Sequence, residues 1–202
     1  MTVFITRAWQ SLRTLCCLVV LLCGSVGVMA AESSMSSRLA GLEIQEGALV
    51  AHSRFSIVLP TAVSDALEQG VTLSFKLEFE LTRPRAYALW RSVTGLFEPV
   101  AFLHYKLSYH SLTRQYRVST GTLYQNYPTL QEALAAVGAI RGWRVLPKEA
   151  INQAKASDFA GQLRLSLDRT QLPRPFQLNT FNSSEWALDS GWIAVTGSEG
   201  EH

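Results

Sequence analysis

The sequence predicts a mainly β fold, an antiparallel β-sandwich that is immunoglobulin-like in general architecture and carries two short helical insertions. Three features point there. Apolar and polar residues alternate in several long runs, turn-forming residues break the chain into eight or nine short segments, and only two windows hold a helical period. With 202 residues, 48% of them hydrophobic and 17% charged, the chain is long enough for one ordinary core and too apolar to stay disordered.

The N-terminus stands apart from that fold. Arg7 and Arg13 form a basic region, residues 15–28 are apolar, and Val28-Met29-Ala30 places small or apolar residues where a signal peptidase reads. Residues 1–30 are therefore expected to be a signal peptide, cut after Ala30 or Ala31. The mature chain is then periplasmic, with no stable membrane insertion. The alternative is an inner-membrane anchor through residues 15–31, at the short end of the roughly 17 to 25 residues that a span needs. Gly24 and Gly27 soften that segment, and the bulky Leu22 before Cys23 disfavours a lipoprotein signal.

Removing this segment changes two balances. All three cysteines, Cys16, Cys17 and Cys23, lie within it, so the domain has no disulfide, zinc-thiolate site or thiol nucleophile. The segment also takes Arg7 and Arg13 from the 18 Lys and Arg, leaving 16 against 16 Asp and Glu. A neutral chain without a basic run has little means of displacing counterions, which excludes nucleic acid as a partner.

After the signal, residues 31–38 read as a flexible leader, residues 39–196 as a single β-rich domain and residues 197–202 as a frayed tail. Leu49, Ala51, Phe55, Ile57 and Leu59 share one parity, with Ser53 the exception. Val71, Leu73, Phe75, Leu77, Phe79 and Leu81 alternate without a break with Thr72, Ser74, Lys76, Glu78 and Glu80, the mark of a strand with one wet face. Ala101, Leu103, Tyr105, Leu107 and Tyr109 repeat the pattern, as do Leu163, Leu165 and Leu167. Shorter strands are expected at residues 42–45, 115–122, 143–146 and 191–196. Of the two helices, residues 60–69 begin with Pro60, set Val63, Ala66 and Leu67 on one face and stop at Gly70. Residues 129–140 open with the capping pair Thr129 and Glu132, and carry Leu130, Ala133, Leu134 and Val137 as an apolar stripe.

The densest aromatic and proline stretch, LPRPFQLNTFNSSEWALDSGW from residue 172, has two readings. Pro173 and Pro175 remove two backbone donors, so its start suits an edge strand or a polyproline-like crossing before Phe176. Ser183 and Ser184 before Glu185 favour a brief helical turn that brings in Trp186, and Asp189-Ser190-Gly191 reverses the chain into Trp192. As structure, the segment is a clasp whose two indoles plug the end of the sandwich, Trp192 foremost because it opens the last strand. As a recognition surface, it is an exposed groove that docks a partner. A second candidate contact is Arg83, Arg85 and Arg91, whose guanidinium groups suit a carboxylate, a phosphate or an acidic partner surface.

Several of these segments recur together as a motif set: LEFELTRPR, LTRQYRVSTG, TLQEALAAVG, GWRV, LRLSLD, LPRPFQLN and WALDSGW. In this order they resemble an exported proteobacterial family catalogued only as a domain of unknown function, over roughly residues 39–193. The resemblance implies a periplasmic or envelope protein, often encoded near a sensor kinase of the nitrogen-regulation type, with no activity or catalytic residue assigned.

Chemistry offers little foothold. His104 and His110 stand six residues apart on one strand face, roughly 20 Å, too far to share a metal, and neither a metalloprotease helix nor a calcium loop is present. No nucleophile elbow or Ser-x-x-Lys pair occurs, and Glu78 and Glu80 on one strand face do not flank a cleft. No catalytic residue, metal or cofactor is expected. The function anticipated is a non-enzymatic periplasmic accessory or protein-interaction module whose partner is an envelope protein, with a membrane sensor kinase implied by the resemblance alone. The alternatives are a carrier of a small apolar or carbohydrate ligand and an unrecognised hydrolase.

Overall fold

The structure, a computed structural model, describes residues 35–82, 100–151, 154–180 and 183–198. It is mainly β, with two antiparallel sheets around one core. In the smaller sheet, β1 (Met35–Gln45) hairpins into β2 (Ala48–Ile57), and β7 (Ala139–Leu146) pairs on the far side of β2. The larger comprises β3 (Leu73–Leu81), β4 (Val100–His110), β5 (Gln115–Thr120), β6 (Leu123–Tyr127), β8 (Ala160–Leu167) and β9 (Ile193–Thr196), in the order β6-β5-β4-β3-β8-β9. This three-plus-six division is not the four-plus-three arrangement of an immunoglobulin constant domain.

The alternation dictates what each strand buries. On β3, Leu73, Phe75, Leu77, Phe79 and Leu81 point into the core and none exceeds 6% exposure. Leu163, Leu165 and Leu167 of β8 join them on one side and Leu107 of β4 on the other, while Leu49, Ala51, Phe55 and Ile57 of β2 come from the opposite sheet. Ser53, the polar exception of β2, is buried with them, and its Oγ has no hydrogen-bond partner among the described residues. The sheets meet along a seam where Gly197 bridges Leu42 in parallel and the Ser198 N–H donates to the Leu42 carbonyl at 3.0 Å.

Both expected helices are present. Helix α1 (Thr61–Glu68) buries Val63, Ala66 and Leu67. It closes with Gly70 in left-handed conformation, the Val71 N–H reaching the Ala66 carbonyl and the Gly70 N–H reaching Leu67. Helix α2 (Leu130–Gly138) starts where the Thr129 hydroxyl accepts from the Glu132 N–H at 3.2 Å. Among the described residues, two more helical segments, α3 (Lys148–Ile151) and α4 (Arg174–Thr180), and 3₁₀ turns at Ala156–Asp158 and Arg169–Gln171 lack a sequence signal long enough to announce them, whereas the turn Ser184–Trp186 falls where a brief helical turn is expected.

Three expectations need correction. The leader does not extend to Arg38: β1 begins at Met35, whose side chain is 1% exposed and belongs to the core. Gly197 and Ser198 of the anticipated frayed tail are paired, as above. Strand β6 was not anticipated, because Leu123 and Tyr124 are both exposed at this edge of the sheet and no apolar alternation marks it.

The end of α2 lies unusually close to β2. A Cβ placed on Gly138 would sit 2.3 Å from the Phe55 carbonyl oxygen, a backbone atom that cannot swing aside. Gly138→Ala is therefore expected to destabilise the protein by about 1 to 3 kcal/mol, the range of core overpacking, read as a lower urea midpoint at unchanged slope.

Candidate functional site

The polar parity that keeps β3 half-buried also builds a surface on the outside of the six-stranded sheet. Register places Phe102 of β4, Glu78 of β3 and Arg164 of β8 side by side, and one step along lie His104, Lys76 and Ser166. Trp192 precedes β9 and continues the first row, with the Arg164 guanidinium 5.7 Å from its ring centroid. Phe102 and Trp192 thus bracket two charged residues across three strand spacings, roughly 14 Å.

Ion pairs hold the middle of the row. Lys76 Nζ lies 2.8 Å from Glu78 and also 4.3 Å from the Phe102 centroid, so one ammonium serves a carboxylate and an aromatic face. Arg164 makes a forked contact to Asp189, its Nε 3.0 and 3.1 Å from the two carboxylate oxygens and its Nη2 closing on Oδ2. Asp189 also accepts from the Gly191 N–H at 2.8 Å. Partial burial alone would push the Asp189 carboxyl up. The hydrogen bonds from Arg164 and Gly191, with the Arg164 charge, outweigh that and hold it below its ordinary value. A basin of about 450 Å³ opens above Lys76, Glu78, His104, Arg164 and Ser166, with Asp168, Arg169 and Thr170 as its lip.

The same face carries a third stacked pair at the far edge, Arg117 over Tyr124 at 4.5 Å. Phe102, Tyr124 and Trp192 are 46%, 64% and 42% exposed, so each aromatic keeps much of its surface in water while a cation sits against it. Among the described residues, no three His, Cys, Asp or Glu side chains converge as ligands for a metal. Phe102 had a detectable signal, since it is the one aromatic side chain besides histidine on the polar parity of β4. Arg164, Arg117 and Tyr124 had none, because only strand register brings them to their partners.

The proline and tryptophan stretch divides between the two roles offered for it. Instead of an edge strand or a polyproline-like crossing, Pro173 and Pro175 open helix α4. The Pro173 carbonyl accepts from the N–H groups of Phe176 and Gln177, and Pro175 falls in the first turn, where N–H groups lack intrahelical partners. Phe176 meets Trp186 with ring centroids 6.1 Å apart and planes tilted by 48°. Trp186, on the turn Ser184–Trp186, is only 7% exposed and belongs to the core. Burial therefore falls on Trp186 and not, as the position at the start of the last strand implied, on Trp192. Asp189 and Ser190 dock on β8, where the Ser190 N–H donates to the Leu165 carbonyl and the Leu165 N–H donates to Ser190 Oγ, both at 2.9 Å. Gly191, in left-handed conformation, then turns the chain so that Trp192 faces outward. Arg83, Arg85 and Arg91 lie outside the described residues.

Comparison with known proteins adds one finding. Residues 32–196 match the family described as Domain of unknown function (DUF4390). The chain belongs to that family. No curated protein and no solved structure matches it.

Two outcomes separate these roles. Trp186→Ala is expected to cost about 3 to 5 kcal/mol and lower the melting temperature markedly, while Trp192→Ala costs less than about 1 kcal/mol, both read by thermal unfolding. The Asp189 carboxylate, depressed in the folded state, contributes stability above its unfolded value of about 3.9, and this is lost as pH falls through the lower folded value. Asp189→Asn should therefore be less stable than the parent at pH 7, and the gap between their urea midpoints should close in strong acid.

Proposed function

We propose that the protein is a non-enzymatic accessory module of the cell envelope, exported to the periplasm by a cleaved signal peptide, that binds a protein partner through the outer face of its six-stranded sheet. The observation that carries this is the row Phe102, Glu78, Arg164 and Trp192, two half-exposed aromatics flanking a charged pair. Aromatic and arginine side chains supply most of the energy of protein interfaces, because they cover large areas at small entropic cost. The charges between them add register and selectivity to such a contact. Asp189 already holds the Arg164 fork, so the face is pre-organised and little ordering entropy is lost on binding. By the resemblance alone, a membrane sensor kinase is the partner this reading favours. No helix among the described residues is long and apolar enough to cross a membrane.

A second reading, a carrier of a small apolar ligand, is favoured by a groove between β2 and α2.

The interface reading is tested by placing a photocrosslinking phenylalanine analogue at position 102 or 192 in the producing cell, with position 45 on the opposite hairpin as control. One discrete adduct with an envelope protein is expected from positions 102 and 192 and none from 45. The adduct at 102 should disappear in Arg164→Glu. Equal labelling from all three positions, or none from any, would overturn the assignment of this face.

A further inference from the structure

Pairing between β2 and β7 ends at Arg54 and Ala139, because at Ala139 the chain emerges from α2. Beyond that point, β2 has a strand on one side only, and a helix lies where the next strand would run. The gap between them is a groove of about 720 Å³. Phe55, Ile57 and Leu134 form its floor, none more than 9% exposed, and Val58, Leu130 and Ala135 form its sides. Val58 is 65% exposed, a large apolar side chain left in water beside an apolar trough.

Two arginines stand at this groove. Arg54 is the last β2 residue paired to β7, and Arg38 is the extra residue of a bulge in β1 between Ser37 and Leu39, where register with β2 slips by one. Bulges re-aim a side chain without changing the sheet around it. Here the bulge brings a second guanidinium to the same groove as Arg54. Both side chains are exposed, and neither has an ion pair among the described residues, unlike Arg144 with Glu46 or Arg164 with Asp189.

We infer that this groove binds a single-chain anionic amphiphile, a long-chain carboxylate whose hydrocarbon lies on Phe55, Ile57 and Leu134 and whose head group is held by Arg38 and Arg54. The inference rests on the carrier reading and adds the charge of the ligand. Charge complementarity sets the head group, since guanidinium forks pair with carboxylate oxygens in a bidentate manner. The volume fits the class, because it lies within the range of small-molecule pockets, roughly 300 to 1,000 Å³. Nothing in this site overlaps the outer face of the six-stranded sheet, so the two surfaces can be occupied together.

The test is calorimetric titration of the full mature chain with laurate below its micelle concentration, beside dodecanol as the neutral probe of equal chain length. The parent should bind one laurate per chain and bind dodecanol at least tenfold more weakly. Arg38→Ala/Arg54→Ala, two exposed positions, should keep its melting temperature, lose tenfold or more in laurate affinity and retain dodecanol binding. Ala135→Trp, which fills one side of the groove, should weaken both. Equal affinity for laurate and dodecanol in parent and double variant would overturn the anionic assignment while leaving apolar carriage intact. Absence of one-to-one binding by either probe would overturn both readings. Laurate binding unaffected by Ala135→Trp would place the ligand elsewhere and sink the inference. So would an acidic peptide that binds where laurate does not.

Discussion

One face of β3 has to be dry. Its five inward side chains, Leu73 to Leu81, are the centre of the hydrophobic cluster, and the strands on either side take their register from it. A slip of one residue would turn Lys76 and Glu78 into the core and Phe75 and Leu77 into water, so burial fixes the pairing strongly. The outer surface inherits that decision. Phe102 stands beside Glu78, and Glu78 beside Arg164, in the register at which the opposite face is buried. The candidate interface is thus positioned by the core beneath it, and its ion pairs fix the side chains on that frame.

The connection from β8 to β9 shows how a segment with little regular structure is ordered at both ends. Leu172, Trp186 and Leu188 are buried, and the Gln177 side chain donates to the carbonyls of Thr170 and Leu172 at 2.8 and 2.7 Å. Backbone groups that no sheet can reach are satisfied by side chains, as a buried loop requires. The two indoles of the stretch then do different things. Trp186 fills volume next to Phe176, and Trp192, past the left-handed Gly191, returns to the surface under Arg164.

Where the sequence carries a period, it also carries the structure. The long alternating strands, the faces of α1 and α2 and the Gly70 stop are legible because each depends on neighbours within a turn or two of chain. Strand β6 is not, since at the edge of the sheet most of its side chains are exposed and its apolar pattern vanishes. Proline was misleading at residues 173 and 175, because a missing N–H suits the first turn of a helix as well as it suits a sheet edge. The identity of the buried tryptophan was also out of reach, decided by a docking of Asp189 and Ser190 on β8 that joins residues far apart in the chain. The outer face was half visible: Phe102 breaks the polar parity of β4, but its partners come from β3, β8 and the turn before β9. Neither did the groove beside β2 show in the sequence, since it exists only because β7 stops pairing at Ala139.

The seam between the sheets joins the two ends of the described chain, with the Leu42 carbonyl of the first strand accepting from the N–H of Ser198. Contacts of such separation cannot form until the residues between them are available, and topologies rich in them fold slowly. Until residues 197 and 198 are in place, the edge of β1 at Leu42 stays uncovered. That edge is a place where pairing with a second molecule competes with completion of the fold. Residues 197 and 198, which look in sequence like the start of a tail, therefore cover that edge at Leu42 and belong to the fold itself.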